Sequence, residues 1–224
     1  MRSERYWWNR IIRHLVLASA ATCICWIIYV VLPPPDVRHR WSMALAYASL
    51  LYLVLSLTIG PYRMWRKLAN PTSFDLRRDI GIWAGLLAVL HTVVGLTVHS
   101  RGQMWRYFFQ KLSPLQVHTS LFGLANYTGT IAFLIFLILL LISNDLALRT
   151  LGARWKSIQR WTYFGTGLTV IHGIAYQWVE RRQMKWVTIF AAMTAVALGF
   201  QLAGFVSTRS KRSKAASRVK LKVS

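Results

Sequence analysis

Residues 121–142 read LFGLANYTGTIAFLIFLILLLI, a run of 22 residues without a charged side chain. A helix needs roughly 20 mostly apolar residues to cross the hydrocarbon core of a bilayer, so this stretch predicts a membrane-spanning helix. A search outward from it finds five more uncharged apolar stretches, at residues 15–32, 42–60, 80–98, 161–179 and 186–206. The sequence therefore predicts an all-α polytopic membrane protein built as a bundle of six transmembrane helices.

The composition agrees with this prediction. Of the 224 residues, 55% are hydrophobic and only 15% are charged, which excludes intrinsic disorder and argues against a soluble protein. The formal net charge of +22 could suggest a nucleic-acid-binding protein. However, the basic residues form short clusters between the apolar stretches, as in membrane proteins whose cations lie at the lipid headgroups. Cys23 and Cys25 lie inside an apolar stretch and indicate neither a disulfide framework nor a zinc site.

The distribution of Lys and Arg predicts the orientation of the bundle. The two termini and the loops on their side carry 20 basic residues, whereas the loops on the opposite side carry 8. The positive-inside rule therefore places both termini in the cytoplasm. Residues 1–206 form the predicted transmembrane domain. Residues 207–224 form a basic cytoplasmic tail without apolar periodicity, which we expect to be solvated and attracted to anionic lipid.

Two histidines lie in the middle of predicted spans, where ionisable side chains are costly and are functional candidates. His91 and His172 each follow the cytoplasmic start of their span by 12 residues, or ~18 Å at the helical rise per residue. Because both spans run outward, the two imidazoles are expected at equal depth. Such a pair can supply both axial ligands of a heme, or it can form ordinary hydrogen bonds between helices. Small residues near the pair leave room for a porphyrin, namely Gly95, Gly165, Thr169 and Gly173.

The other four histidines are weaker candidates. His14 and His39 fall at interfacial or loop positions and are expected to be ordinary surface groups. His99 ends the third span and His118 precedes the fourth, so both are expected near the outer surface. Together they form a candidate second outer site, for a second metal ion or for a quinone headgroup.

Three stretches resemble the ferric-reductase-like transmembrane domain family, and within it the heme-binding membrane subunits of the methionine-sulfoxide reductase system. The first is RRDIGIW at residues 77–83, followed by His91, and the second is RTLGARWKSIQRWTY at residues 149–163. The third is Ile171-His172, followed by Tyr176 and Trp178. The resemblance covers about residues 63–179.

The resemblance implies a cytochrome b-like protein with one b-type heme whose iron is bound by His91 and His172, with Gly95, Thr169 and Gly173 next to it. Members of the wider superfamily with two hemes carry a second pair of histidines about 13 residues away on the same two spans. Here those positions are Arg78 and Gln159, neither of which is a usual heme ligand. A single heme is therefore expected.

The leading functional hypothesis is a transmembrane electron-transfer subunit in a bacterial inner membrane. The chain has no Gly-rich dinucleotide motif or P-loop, so we expect the electrons to come from a quinol or from a separate flavoprotein. A quinone is therefore a candidate second cofactor. The resemblance implies an acceptor at the outer face, either a periplasmic molybdenum-containing reductase or a ferric chelate. Whether the chain is itself an enzyme, as an oxidoreductase without its own flavin domain, is left open.

Two alternatives remain at this stage. The first is a cofactor-free membrane transporter or scaffold in which His91 and His172 form a proton relay or a packing pair. It is disfavoured because the spans hold few polar groups apart from Asn126 and Gln201, which are expected to form hydrogen bonds between helices. The second keeps the heme but makes the protein a redox sensor or an assembly factor.

Overall fold

The computed structural model describes residues 4–33, 36–66 and 74–223. Arg2 and Lys67, two of the cations that predict the orientation, lie outside these ranges, and side chains beyond residue 210 are not described. The helices are α1 (Glu4–Val31), α2 (Val37–Trp65), α3 (Phe74–Gly95), α4 (Leu121–Leu141), α5 (Asp145–Leu151), α6 (Ala153–Gln159), α7 (Trp161–Val179) and α8 (Met184–Val223). Between α3 and α4 lie two 3₁₀ turns (Ser100–Gly102 and Met104–Tyr107) and an antiparallel hairpin of β1 (Phe109–Leu112) and β2 (Leu115–Val117).

The long helices run alternately up and down, which gives the bundle two distinct ends. At one end, Arg40 near the start of α2 donates to the carbonyl of Tyr29 near the end of α1, at 2.9 Å. This end also carries the β-hairpin and the turn between α7 and α8, and we call it the hairpin end. At the opposite end, called the terminal end, Arg13 of α1 lies 2.7 Å from Asp79 near the start of α3.

Helix α2 lies at the centre of the described bundle and packs against α1, α3 and α8, whereas α4 packs mainly against α7 and α3. Ala44 and Ala48 of α2 have no exposed surface. Small residues allow neighbouring helix backbones to approach closely, which is how helices associate where lipid supplies no hydrophobic driving force. The start of α2 is capped by Asp36, which accepts from the backbone N–H of Arg38, and that of α4 by Ser120.

Five of the described helices are long and apolar enough to cross a membrane, namely α1, α2, α3, α4 and α8. The predicted class, an all-α polytopic membrane protein, is confirmed at this level. Helix α7 has the same bounds as the predicted fifth span but is not among the five, because Thr, Gly, Tyr and Trp residues make it less apolar. Many large apolar side chains are exposed on the outside of the bundle, as expected where lipid is the solvent; Leu15 is 62% exposed and Leu202 64%.

The boundaries differ from the predicted ones in three places. Helix α1 begins at Glu4, well before the apolar stretch at residue 15, because the basic first turns are also helical. The predicted tail does not begin with a break, since the backbone of α8 continues through residue 206 to Val223. The β-hairpin was not predicted, because apolar stretches indicate membrane spans but give no information about the structure of the loops between them.

An ionic cluster joins α1 to α3 at the terminal end. Asp79 is fully buried and lies 3.3 Å from Arg10, 2.7 Å from Arg13 and 3.4 Å from His14. His14 also accepts a hydrogen bond from the indole N–H of Trp83 at 3.2 Å. The expectation that His14 is an ordinary surface group is therefore wrong. Its position near the start of a span hides the fact that α3 brings a buried carboxylate against it.

We expect Asp79→Asn to destabilise the bundle, because it leaves two arginines facing a buried site without their counter-charge. Breaking a buried ion pair from one side costs on the order of 3 kcal/mol, which should lower the thermal unfolding midpoint in detergent by several degrees. Asp75→Asn is the matched control, since Asp75 is 28% exposed and contacts Arg78 at 3.4 Å. Equal midpoints for the two variants would contradict a structural role for the Asp79 cluster.

Candidate functional site

The structure brings the two mid-span histidines together. The rings of His91 on α3 and His172 on α7 have centroids 6.3 Å apart and planes inclined by 72°. Because α3 and α7 both end at the hairpin end, the two residues lie at the same level of the bundle. The equal depth expected from counting residues along the two spans is therefore present in the fold.

Each imidazole is held by a backbone carbonyl of a third or fourth helix. Nδ1 of His91 lies 2.9 Å from the carbonyl oxygen of Ser42 in α2, and Nδ1 of His172 lies 2.8 Å from that of Ala125 in α4. A carbonyl oxygen can only accept, so Nδ1 carries the proton in both neutral rings. The Nε2 lone pair of each ring is thereby left available for a ligand or a metal.

The separation of the rings fits two axial ligands of one metal ion. A metal–imidazole bond is ~2.0–2.1 Å long and a ring nitrogen lies ~1.1 Å from the ring centre, so two rings on opposite sides of one ion have centres ~6.3 Å apart. The observed 6.3 Å equals this value. A hydrogen bond from the other ring nitrogen to a carbonyl is also the usual support of a metal-bound histidine.

Gly129 of α4 is a part of the site that the sequence analysis missed. A Cβ atom built on it would lie 2.7 Å from Cε1 of His172, and closer still to Nδ1. Gly129 follows Ala125 by one helical turn, so the missing side chain is what lets the imidazole reach the Ala125 carbonyl. The available signal was the row of small residues around position 129, but many other small residues lie in the spans.

The other predicted neighbours of the pair have mixed surroundings. Gly95, Thr169 and Gly173 all line the cavity that contains both histidines. A Cβ on Gly95 would lie 3.3 Å from the Ser42 hydroxyl, and one on Gly173 would overlap the ring of Phe190. These glycines therefore permit close packing of helices, in addition to bordering the open space.

The cavity changes character along its length. Beside the histidines and on their terminal-end side, the cavity is lined by apolar residues of α2, α3 and α4, among them Leu50, Leu53, Ala84, Ala88 and Ala132. Towards the hairpin end its lining becomes polar. A molecule that matches this cavity has an apolar body and a polar edge.

A cluster centred on Glu180 forms the polar end of the cavity. The Glu180 carboxylate lies 2.8 Å from Nε2 of His99, 3.3 Å from Nε2 of His39 and 3.5 Å from Nη2 of Arg182. Burial opposes ionisation of Glu180, but the His99 hydrogen bond and the Arg182 charge outweigh it, so the pKa of this carboxyl lies below its ordinary value of 4.5. His39 is only 21% exposed, so the expectation that it is an ordinary surface group is wrong.

His99 and His118 do not form one shared ligand pair. His99 contacts Glu180, whereas His118 contacts the hydroxyl of Ser120 at 2.9 Å, and each of the two rings also contacts the ring of Phe122. Within the described residues, no group of three or more His, Cys, Asp or Glu side chains could hold a metal ion. The second outer site therefore remains a prediction that the geometry does not favour for a metal.

The polar residues within the spans form hydrogen bonds between helices, as predicted. Asn126 accepts from the Tyr176 hydroxyl at 2.7 Å and donates to the Tyr107 carbonyl at 3.3 Å. Gln201 of α8 donates to the carbonyl of Leu57 in α2. These contacts tie α4 to α7 beside the histidine pair and α8 to α2 at the terminal end.

The two positions that hold further histidines in two-heme relatives have structural partners here. Arg78 lies 2.6 Å from Asp145 and 3.4 Å from Asp75. The side-chain amide of Gln159 lies 3.5 Å from the hydroxyl of Ser143. The side-chain nitrogens of arginine and glutamine are hydrogen-bond donors and offer no lone pair to a metal, as the nitrogen of a neutral imidazole does. Arginine also cannot be deprotonated to bind a metal.

These features define a class: a polytopic helical membrane protein in which two long helices present paired, carbonyl-supported imidazoles to one amphipathic cavity. No family model matches the chain. Among curated proteins the chain is similar to bacterial proteins named protein-methionine-sulfoxide reductase heme-binding subunit MsrQ. It is 27% identical over 178 residues to the one from Yersinia pseudotuberculosis serotype O:1b (strain IP 31758), covering 74% of this chain and 73% of the relative. The chain is also 27% identical to the relative from Yersinia pestis (strain Pestoides F), in an alignment that covers 74% of this chain and 72% of that relative. The resemblance identified from the three motifs is confirmed by these relatives.

The Glu180 cluster makes stability dependent on pH. Since the folded-state pKa of Glu180 is lowered, its ionised form stabilises the fold above about pH 4.5, and this contribution is lost as the pH falls below that value. We expect Glu180→Gln to lower the thermal midpoint by a few degrees at pH 7 and by less at pH 4. Glu4→Gln, at an exposed position, is the control and should shift neither value. A Glu180→Gln deficit that is the same at both pH values would contradict this role.

Proposed function

We propose that this chain is a heme-binding transmembrane electron-transfer subunit with one b-type heme bound by His91 and His172. The observation that carries the proposal is the paired geometry of the two imidazoles, with both Nδ1 atoms bonded to carbonyls and the ring centres 6.3 Å apart. The relatives are named heme-binding subunits, which supports the same cofactor. When bound, the heme would supply reversible one-electron chemistry.

The residues of the chain prepare the site for that group. The carbonyls of Ser42 and Ala125 fix the Nδ1–H tautomer and make Nε2 of each histidine the better donor. Apolar residues around the pair exclude water and keep the local dielectric constant low, which tunes the potential of a bound redox centre. Arg78 and Gln159 support a single heme, because neither can replace a histidine ligand.

The membrane arrangement is part of the proposal. We count α7 as a sixth crossing, because it packs against the spanning helix α4 and, like α3, ends at the hairpin end. The excess of basic residues at the terminal end supports a cytoplasmic position for both termini in a bacterial inner membrane. The heme then lies nearer the outer face, where electrons would pass to a methionine-sulfoxide reductase or another acceptor. A quinol or a separate flavoprotein would be the donor.

Heme content tests the proposal. We expect the purified full chain to show a b-type reduced-minus-oxidised spectrum with about one heme per chain by pyridine hemochrome. His91→Ala and His172→Ala should each lose most of the heme, because one neutral imidazole is then the only axial ligand. His118→Ala is the control and should keep it, since His118 contacts Ser120 and Phe122 outside the pair. Heme retained by both pair variants would overturn the assignment, and two hemes per chain would overturn the single-heme reading.

The carbonyl support can be tested separately. We expect Gly129→Ala to displace the ring of His172 and so to lower heme occupancy several-fold, without removing a ligand. Gly167→Ala on α7 is the matched control, because a Cβ there meets nothing within 4 Å. The comparison uses heme per chain at equal expression. Equal occupancy in the two variants would show that the position of His172 does not depend on Gly129.

A further inference from the structure

Arg182 is a largely buried cation with few acceptors around it among the described residues. Its side chain is only 16% exposed, and Glu180 is the one carboxylate within ion-pair distance among the described residues, at 3.5 Å. Its other contact is with the thioether sulfur of Met43, which is a weak acceptor. A guanidinium carries five N–H donors and stays charged, so burial at this cost calls for a further anionic partner.

Glu180 cannot accept all of the hydrogen bonds that the Arg182 guanidinium can donate. Its Oε1 is engaged by His99 at 2.8 Å, and its Oε2 is shared between His39 at 3.3 Å and Arg182 at 3.5 Å. Arg182 therefore has the longest of the three contacts. The cluster offers more donors than this one carboxylate can accept.

The donors of this cluster face the cavity that holds the histidine pair. His39, His99, Glu180 and Arg182 line it together with His91 and His172. A planar ligand bonded axially by both rings stands across the line that joins them, so one of its edges faces the hairpin end.

We propose that Arg182 binds the propionate carboxylates of the heme and so fixes which edge of the porphyrin faces the outer end of the cavity, while His39 and His99 hold Glu180 beside it. This inference rests on the proposed function. Its basis is the lining of the cavity, since the apolar residues match the macrocycle and the Arg182 guanidinium matches a carboxylate. Arg182 is a positioning residue and takes no part in ligating the iron.

The test compares heme with its dimethyl ester, which lacks the two negative charges. Each is titrated into the full chain, produced in heme-deficient cells and held in nanodiscs, and binding is followed by the Soret band. We expect the unaltered chain to bind heme about tenfold or more tighter than the ester, as for a charge-assisted contact. Arg182→Gln should bind the two about equally. Arg181→Gln removes the same charge from the exposed neighbouring position and should keep the preference.

The outcomes separate this inference from the proposed function. If the unaltered chain binds heme and ester equally, or if Arg182→Gln weakens both by the same factor and keeps the preference, the propionate role is wrong while axial ligation stands. If the unaltered chain binds neither, the proposed function fails as well. Arg182→Lys is a second variant that keeps the charge but loses the planar fork, and it should show a reduced preference. A full preference in Arg182→Lys would contradict a contact that depends on the planar fork of the guanidinium.

Discussion

The hydrogen bond from each buried imidazole to a backbone carbonyl of a neighbouring helix constrains the rest of the site. It fixes the ring plane, the tautomer and the direction of Nε2 for His91 and His172 at once. It also requires that α2 approach α3 and that α4 approach α7 closely enough for a ring to reach a helix backbone. Gly129 of α4 meets this requirement for His172, because a Cβ atom there would fill the space that the ring occupies.

The two ends of the bundle carry different electrostatics around this central pair. At the terminal end, buried Asp79 forms ion pairs with Arg10 and Arg13 of α1 and so joins that helix to α3. At the hairpin end, Glu180 contacts two histidines and Arg182 at the polar end of the cavity. In the first cluster, cations surround the carboxylate of Asp79. The second cluster lines the cavity, and its hydrogen-bond donors outnumber the acceptor positions of Glu180. This contrast is why we assign a structural role to one and a ligand-binding role to the other.

Much of the architecture could be predicted from the sequence, because a membrane span must be apolar over a fixed length. The apolar stretch at residues 161–179 coincides with α7, and residue counting from the span starts placed His91 and His172 at one depth. The parts that were missed depend on which helix packs against which. Gly129 matters only because α4 lies on α7, and Glu180 and Arg182 matter only because the α7–α8 turn folds over the cavity mouth. Apolar periodicity carries no information about these pairings.

The same limit explains the errors about His14 and His39. Both lie just before the starts of predicted spans, where solvent exposure is the ordinary expectation, and both are instead held against a carboxylate from a distant part of the chain. A charge count identifies the few acidic residues, since there are only 6 Asp and Glu among 28 Lys and Arg. It does not identify which cations each of them gathers.

The central claim is that the two imidazoles bind one heme iron from opposite sides. Electron paramagnetic resonance of the oxidised full chain at low temperature tests this directly, because the spin state reports the number of strong axial ligands. Ligation by both imidazoles predicts a low-spin ferric signal, strongly anisotropic because the ring planes are inclined by 72°. A high-spin signal from a heme with a single axial histidine would contradict it.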